Sequence, residues 1–254
     1  MTEYINQIFN EDCMEGLDKI PDYSVDLVVM DPPYKLVRID GIGLFGSNNR
    51  DYYDELSEIR DGITDELLTK IVSKMKKVNI YIWCNKEQIQ QYLEYFSKNG
   101  KNSMDLLTWH KTNPIPTCSN KYLSDTEYCL FFREKGVKLY GSYNTKHKYY
   151  VSSLNTDDKK LYNHPTVKPL NFIRNMIANA IPDDGSRLLV MDPFMGSGTT
   201  AVAAKQLGQD YVGFEINPEY HRTALQRVES TPIRTMGSDH TKPVKATNLA
   251  DWGL

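Results

Sequence analysis

Two carboxylates in this sequence directly follow apolar runs, which is where a strand-end acid can contact a ligand. Asp31 begins the tetrapeptide DPPY and follows SVDLVVM, residues 24–30. Glu215 follows DYVGF, residues 210–214. Ligands of open α/β sheets bind beyond the carboxyl ends of strands, near a topological switch point. Both acids are therefore candidates for chemistry or binding, and the two prolines after Asp31 restrain the backbone beside it.

Glu215 belongs to a longer motif that is typical of nucleoside binding. Residues 188–217 predict a strand, a turn, a helix and a second strand, and the turn contains Gly196, Ser197 and Gly198. Glycines allow a tight turn and a close approach of a ligand to the backbone. Glu215, nineteen positions after Gly196, can accept hydrogen bonds from the two hydroxyls of a ribose.

The turn itself disfavours cofactors that contain phosphate. Its sequence, DPFMGSGTT over residues 192–200, lacks the third glycine of the dinucleotide fingerprint and the lysine of a phosphate loop. A nicotinamide-dependent oxidoreductase is disfavoured for the same reason. S-adenosylmethionine, a nucleoside with an amino-acid tail, fits the motif better.

Three motifs together resemble those of the amino-group DNA methyltransferases. They are DPPY at 31–34, HPTVKP at 164–169 and DPFMGSGTT at 192–200, and their order resembles the β group of that family. NEDCMEGL at 10–17 and WHKTNPIP at 109–116 are further matches. The resemblance covers most of residues 4–229. It implies transfer of a methyl group from S-adenosylmethionine to an exocyclic amine of a DNA base.

The resemblance implies that Asp31, Pro32, Pro33 and Tyr34 form the catalytic motif. The Asp31 carboxylate and the Pro32 carbonyl would accept the two N–H bonds of the target amine, which directs its lone pair at the methyl group. Positioning and hydrogen bonds to the developing ammonium would supply the rate. The target base must leave the duplex stack, and Tyr34 would stack on it.

The resemblance also implies a set of cofactor contacts. Asp12 and Cys13 would lie against the adenine ring of the cofactor. His164, Thr166 and Lys168 would lie near its methionine tail, where Thr166 and Lys168 can meet the carboxylate. The other predicted contacts belong to the glycine-containing unit: Asp192, Phe194, Gly196, Ser197, Gly198, Thr199, Glu215 and Asn217. Asn217 can equally cap a helix that begins at Pro218, and no metal site is predicted.

The target amine is predicted to be N6 of adenine. Cytosine enzymes of this family more often have serine at the position of Asp31, so N4 of cytosine is the alternative within the family. RNA is a lesser alternative substrate, because a flipped base would serve there too. A catalytically inactive DNA-binding module is an alternative from another class, but the intact DPPY motif and Glu215 argue against it.

A lysine-rich segment is the candidate target-recognition region. The chain has a net charge of -3, yet residues 133–168 contain eight basic and three acidic residues. Lysines of this segment can neutralise DNA phosphates, and its tyrosines and asparagines can contact bases. The lysines predicted to bind DNA are Lys138, Lys146, Lys148, Lys159 and Lys160. Residues 35–53, also irregular, are predicted to close over DNA.

The elements that must position these motifs alternate between strand-like and helix-like segments. They predict an α/β fold, an open, mostly parallel twisted sheet with helices on both faces, which is the Rossmann-like fold of S-adenosylmethionine-dependent methyltransferases. The predicted strands are 24–30, 78–84, 104–109, 127–132, 187–191 and 210–214, and the predicted helices are 64–76, 86–98, 169–180, 199–207 and 218–229. Residues 1–230 are expected to form one domain, with an inserted loop at 35–61, a recognition segment at 135–163 and a tail at 231–254.

Composition predicts a soluble, cytoplasmic enzyme. Of the 254 residues, 25% are charged and 40% hydrophobic, and no apolar run reaches the length of a membrane span. The amino terminus lacks the features of a signal peptide, and the four scattered cysteines predict reduced thiols. We expect DNA as the partner, double-stranded by preference, and no membrane. A homodimer and a cognate restriction endonuclease are further partners that the sequence leaves open.

Overall fold

The computed structural model describes residues 3–34, 62–114, 116, 120, 122–153 and 167–232. Eight strands of these residues form one sheet. They are β1 (Gln7–Phe9), β2 (Leu27–Met30), β3 (Asn79–Cys84), β4 (Asn102–Lys111), β5 (Thr126–Glu134), β6 (Tyr149–Ser152), β7 (Leu189–Asp192) and β8 (Asp210–Phe214). Their order across the sheet is β1-β8-β7-β2-β3-β5-β4-β6.

All strands of this sheet except β5 point the same way. β5 pairs antiparallel with β3 and β4, and every other pairing is parallel. The carboxyl ends of seven strands therefore meet the amino end of β5 at one edge of the sheet, which we call the pocket edge. Asp31, Asp192 and Glu215 all lie there. The mostly parallel sheet confirms the predicted α/β fold.

Helices cover both faces of the sheet. They are α1 (Cys13–Gly16), α2 (Asp65–Ser73), α3 (Ile89–Lys98), α4 (Leu170–Ala178), α5 (Thr199–Gln206) and α6 (Pro218–Ser230). Leu27 and Val29 of β2 pack in one buried cluster with residues of α4, α5 and α6. Val28 and Met30 point to the other face and pack with residues of α1, α2 and α3. Burial on both faces explains why β2 reads as a continuous apolar run.

The chain order of the strands puts a topological switch point beside Asp31. From β2 the next strand along the chain, β3, lies on one side, while β7 and then β8 lie on the other. Such a switch opens a crevice outside the strand ends, because the connections leave in opposite directions. The loops that follow β2 and β7 therefore border one crevice.

Two strands and one short helix are absent from the sequence prediction. β1, β6 and α1 have three or four residues each, which is too short for a periodic pattern. β6 lies within the segment predicted to be irregular, and it forms because Tyr149–Ser152 pairs with β4. The helix start at Thr64 is as predicted, since its hydroxyl oxygen accepts the Leu67 N–H at 3.2 Å. None of the described helices is long and apolar enough to cross a membrane.

Candidate active site

One pocket of about 700 Å³ opens at the pocket edge and is lined by both predicted motifs. Asp31, Pro32, Pro33 and Tyr34 line one part of it, and residues 192–197 with Glu215 line another. The volume is within the range of small-molecule sites. The two motifs, which are about 160 residues apart in sequence, thus meet in one cavity because β2 and β7 are adjacent strands.

The two oxygens of Asp31 have different surroundings. Oδ2 lies 2.6 Å from the Lys168 ammonium, whereas Oδ1 is buried and accepts no hydrogen bond from any residue that the structure describes. Burial raises the pKa of Asp31, and the nearby Glu127 adds to this, although Lys168 opposes it. A buried acceptor without a partner in a pocket wall is suited to a ligand that brings an N–H donor.

Lys168 lines the pocket and binds residues of the DPPY segment together with Glu127. Its ammonium contacts Asp31 Oδ2, Glu127 Oε2 at 3.0 Å and the Tyr34 hydroxyl at 3.1 Å. An ammonium has three N–H donors, so these three acceptors use all of them. Burial disfavours the charged form, but Asp31 and Glu127 outweigh burial and raise the pKa of Lys168. A contact with a cofactor carboxylate, as predicted, would require one of these bonds to be exchanged.

Glu215 lies at the end of β8 and closes onto the glycine-containing turn. Its Oε2 accepts the Gly196 N–H at 2.8 Å, and its Oε1 accepts the Asn217 N–H at 2.8 Å. Burial raises the pKa of Glu215, although these two bonds act in the opposite direction. A carboxylate has about four lone-pair positions, so Glu215 keeps acceptor capacity for a ligand.

The glycine-containing turn has the backbone that its sequence predicts. Gly196 and Gly198 have φ values of 53° and 85°, a region that favours glycine. A Cβ atom at Gly198 would also lie 3.0 Å from the Ala224 Cα in α6. Asp192 shapes the turn from within, because its carboxylate accepts the Phe194 N–H at 3.0 Å and the Thr200 hydroxyl at 2.6 Å. Burial raises the pKa of Asp192 to about 7.

The match to known proteins decides the family. The family model for N6/N4 methyltransferases, described as DNA methylase, matches residues 25–226. The chain belongs to this family. It is a DNA methyltransferase, as predicted, and S-adenosylmethionine is the cofactor of the family.

Similar proteins support this assignment. The Type II methyltransferase M2.DpnII of Streptococcus pneumoniae is 28% identical to this methyltransferase over 243 residues, which cover 88% of this chain and 89% of that one. The crystal structure of the M1.HpyAVI-SAM complex has a TM-score of 0.63 at 24% identity, over 87% of this chain and 98% of that one. The PvuII DNA methyltransferase, described as cytosine-N4-specific, has a TM-score of 0.64 at 17% identity, over 87% of this chain and 85% of that one. These two structures share the fold.

Glu127 and Lys111 are partly buried charges of this methyltransferase that the sequence analysis does not select. Glu127 is at the amino end of β5, and its Oε1 lies 2.7 Å from the Lys111 ammonium at the end of β4. Burial opposes ionisation of Glu127, but Lys168 and Lys111 outweigh it and lower its pKa to about 2. The sequence gives little signal for this role, because only the antiparallel direction of β5 puts Glu127 at the pocket edge.

Gln88 is a second residue that the sequence analysis did not select. It is fully buried before α3, and its Nε2 donates a hydrogen bond to the Pro33 carbonyl at 3.2 Å. Its Oε1 accepts the Asn85 N–H at 3.3 Å. Gln88 thereby connects the DPPY segment of the methyltransferase to the start of α3.

Ser197 and Thr199, which are predicted cofactor contacts, both bind a buried arginine. Arg227 of α6 donates to the Ser197 carbonyl and hydroxyl at 2.6 and 2.8 Å, and to the Thr199 hydroxyl at 3.2 Å. Arg227 is 7% exposed. The arginine attaches α6 to the turn, and no motif in the sequence indicates it.

Three further predicted contacts lie at the amino ends of helices. The Asp12 carboxylate accepts the Met14 N–H at 2.7 Å and caps α1, whose first residue is Cys13. Burial raises the pKa of the Cys13 thiol to about 12, which keeps it neutral. The Asn217 side chain accepts the Glu219 N–H at 2.8 Å and caps α6. All three residues also line the pocket, so the capping and the predicted cofactor contacts are compatible.

The described lysines predicted to bind DNA do not line the pocket. Lys148 is paired with Asp105, midway along β4, at 2.5 Å. Tyr140 donates its N–H to the Asn179 carbonyl at 2.8 Å, beyond the end of α4. That end is about 13 Å from the helix start near Lys168, so Lys138 and Lys146 lie away from the pocket edge. Lys159, Lys160, His164, Thr166, the predicted loop at 35–61 and residues 233–254 of the predicted tail lie outside the described residues.

Proposed function

We propose that this enzyme methylates the N6 amine of adenine in a base flipped out of double-stranded DNA. One observation supports this most strongly. Asp31, whose Oδ1 is a buried acceptor without a described partner, lines the same pocket as Glu215. An amine donor and a nucleoside with a ribose can therefore occupy neighbouring parts of one cavity.

In this proposal the DPPY segment orients the target amine. Asp31 Oδ1 and the Pro32 carbonyl accept its two N–H bonds, which withdraws the nitrogen lone pair from the ring. Lys168 binds Oδ2, so Oδ1 is the oxygen left for the amine. Tyr34, whose hydroxyl binds Lys168, offers its ring to the flipped base.

S-adenosylmethionine supplies an electrophilic methyl group when bound. On transfer, the amine would gain the methyl group and the electron pair of the carbon–sulfur bond would remain with the cofactor. The methylated nitrogen then carries one proton too many. Asp31 is placed to accept that proton, and burial raises its pKa in the direction that favours acceptance.

The residues of the second motif suit the cofactor. Glu215 binds the ribose hydroxyls with the lone pairs that its two backbone bonds leave free. Phe194 and Ile216 provide apolar walls beside it, and Asp12 and Cys13 lie at the adenine. Gly196 and Gly198 allow close approach, while Asp192, Ser197 and Thr199 hold the turn from behind. Contacts of His164 and Thr166 with the methionine tail stay predictions.

Asp31 favours adenine over cytosine, because cytosine enzymes that resemble this chain more often have serine there. The likeness to the cytosine-N4-specific PvuII enzyme concerns the fold at 17% identity and does not decide the base. A homodimer, a cognate endonuclease and a cytoplasmic location likewise stay predictions.

The test is to identify the methylated base. The enzyme is incubated with duplex DNA and S-adenosylmethionine that carries a labelled methyl group, and the nucleosides are separated by mass. We expect labelled N6-methyladenine, no product with Asp31→Ala, and weaker cofactor binding by thermal shift with Glu215→Ala. Labelled N4-methylcytosine would overturn the choice of base, and activity in Asp31→Ala would overturn the mechanism.

A further inference from the structure

Four charged side chains form a row of alternating sign that ends at Asp31 of the DPPY segment. In order they are Lys111, Glu127, Lys168 and Asp31, and successive pairs are 2.7, 3.0 and 2.6 Å apart. Their side chains are between 7% and 24% exposed. Burying charges is costly unless each is paired, so a row of two cations and two anions is balanced only when all four members are present.

We propose that Glu127 and Lys111 are positioning residues for methyl transfer, which act by holding Lys168 to a single oxygen of Asp31. The inference rests on the proposed function, because it concerns the oxygen that would receive the target amine. Lys111 does not line the pocket; Glu127 does, but each of its two oxygens binds a lysine, so we expect it to act through Lys168.

The geometry of Lys168 supports the inference. Glu127 Oε2 and the Tyr34 hydroxyl accept two of its three N–H bonds, so a single bond remains for Asp31. Without Glu127, the ammonium would have a free donor and could turn toward both oxygens of Asp31. Oδ1 would then be bound by lysine instead of being open to the amine.

Lys111 has a corresponding effect on Glu127. Its ammonium binds Oε1, which leaves Oε2 for Lys168 and holds the carboxylate in one orientation. β4 and β5 are adjacent strands in which Trp109 is paired with Glu127, so the sheet itself fixes this pair. Through these contacts, the paired strands β4 and β5 restrict the orientation of the Asp31 carboxylate.

The row also sets how strongly Asp31 holds a proton. Lys168 divides its attraction between two carboxylates, so each is stabilised less than by an undivided cation. The titratable groups that face Asp31 are Lys168, Glu127, Tyr34, Cys84, Cys129, Tyr92 and Asp192. Of these, Lys168 and Glu127 bind one another. A change at Glu127 therefore alters the strength of the ion pair between Lys168 and Asp31.

The first variant is Glu127→Gln, which removes the charge and keeps the shape. Lys168 then pairs with Asp31 alone, so the pKa of Asp31 falls and the acidic limb of the kcat profile moves to lower pH. We expect kcat to fall by roughly tenfold or more through loss of positioning, while the Kd for S-adenosylmethionine stays within about twofold. When Lys168 pairs with Asp31 alone, Asp31 is a weaker base and its Oδ1 is less available to accept a hydrogen bond from the amine.

The second variant, Lys111→Met, should move the acidic limb the other way. Glu127 then depends on Lys168 alone and draws it from Asp31, so the pKa of Asp31 rises. Opposite shifts from two neighbouring variants are not expected of a purely structural role, which would lower stability in both without moving the limb. Glu127→Asp keeps the charge and should keep the limb near its wild-type position, with a lower kcat.

Glu94→Gln is the matched control, because Glu94 is an exposed glutamate of α3 outside the site. It should leave kcat and the pH profile unchanged. Unchanged kcat and pH profiles in both Glu127→Gln and Lys111→Met, with Asp31→Ala inactive, would overturn this inference and leave the proposed function intact. Wild-type enzyme that forms no N6-methyladenine would overturn the proposed function instead. If Glu127→Gln does not fold, Lys111→Met and Glu127→Asp give the same decision.

Discussion

Single residues at this site show that burial and pairing, rather than residue type, separate the roles of the acids. Asp31 and Asp192 both end or follow parallel strands of the sheet, and burial raises the pKa of both. Asp192 uses both oxygens within its own turn, whereas Asp31 leaves Oδ1 without a described donor. Asp192 is thus structural in its contacts, and Asp31 keeps one oxygen without a described partner.

Asp192 should make stability depend on pH. Its pKa of about 7 in the folded protein exceeds the ordinary value of 3.8, so between these pH values the folded state binds one more proton than the unfolded state. Stability from this group therefore falls as pH rises from about 4 to 7, by at most ~1.4 kcal/mol per pH unit. In urea unfolding at pH 5 and pH 7, Asp192→Asn should lose less stability than wild type. Equal losses would mean that Asp192 titrates alike in both states.

At the scale of elements, the glycine-containing turn depends on how closely α6 approaches it. Gly198 begins α5 with a positive φ, and Ala224 of α6 lies directly against it. Arg227, one turn further along α6, binds the same turn through Ser197 and Thr199. α6 therefore acts as a support for the turn, although only Tyr220 of this helix lines the pocket.

Gly198→Ala should be far more destabilising than Gly208→Ala. Both glycines have positive φ, at 85° and 69°, but a Cβ at Gly208 would meet no atom within 4 Å. Backbone strain costs each variant about 1–2 kcal/mol, and the clash with Ala224 adds about 1–3 kcal/mol at Gly198 only. Denaturant unfolding of the two variants measures the difference. Equal free energies of unfolding would show that α6 can move away at little cost.

Arg227→Met should weaken both the fold and cofactor binding. Removing the guanidinium leaves the buried Ser197 and Thr199 oxygens without this donor, which costs about 1–3 kcal/mol for each group left unsatisfied. Urea unfolding and cofactor titration would detect the two effects. Arg222→Met, an exposed position on the same helix, is the control and should change neither. Normal cofactor affinity in Arg227→Met would show that the turn keeps its shape without the arginine.

The whole molecule gathers its site from segments that are distant in sequence. Residues from the ends of β2, β4, β5, β7 and β8 meet at the pocket edge, since seven strands run one way and β5 the other. In the proposed function, DNA approaches the same edge to deliver a base to the pocket. In the described part of the lysine-rich segment, β6 pairs with Thr108–Lys111 and so reaches the pocket edge, whereas the residues around Thr145 lie at the far end of α4.

Replacing Lys138, Lys146 and Lys148 together with glutamine tests their predicted DNA contacts. Each lost phosphate contact lowers the slope of log affinity against log salt by about 0.9. Because the three lysines lie away from the pocket edge, we expect the slope to change by less than one such contact. A change of about two or more would show that DNA extends along this side of the sheet.

Motifs formed by consecutive residues could be predicted from the sequence. DPPY after an apolar run, the glycine-containing turn and Glu215 were all selected, and the caps at Thr64 and Asn217 form as their residue types predict. The family and the α/β fold follow from these local patterns and their order, and both are confirmed. Local chemistry determines such features, because a strand end, a turn or a cap involves only neighbouring residues.

Only the tertiary structure could decide the partners of the polar and charged side chains around the site. Glu127, Lys111, Gln88 and Arg227 contact residues that are between 28 and 55 positions away, or that lie on a strand of unpredicted direction. Lys168 appears in sequence as part of a cofactor motif, yet its ammonium binds Asp31, 137 positions earlier in the chain. Sequence spacing contains no information on such pairs, because the order and direction of strands in the sheet set which side chains meet.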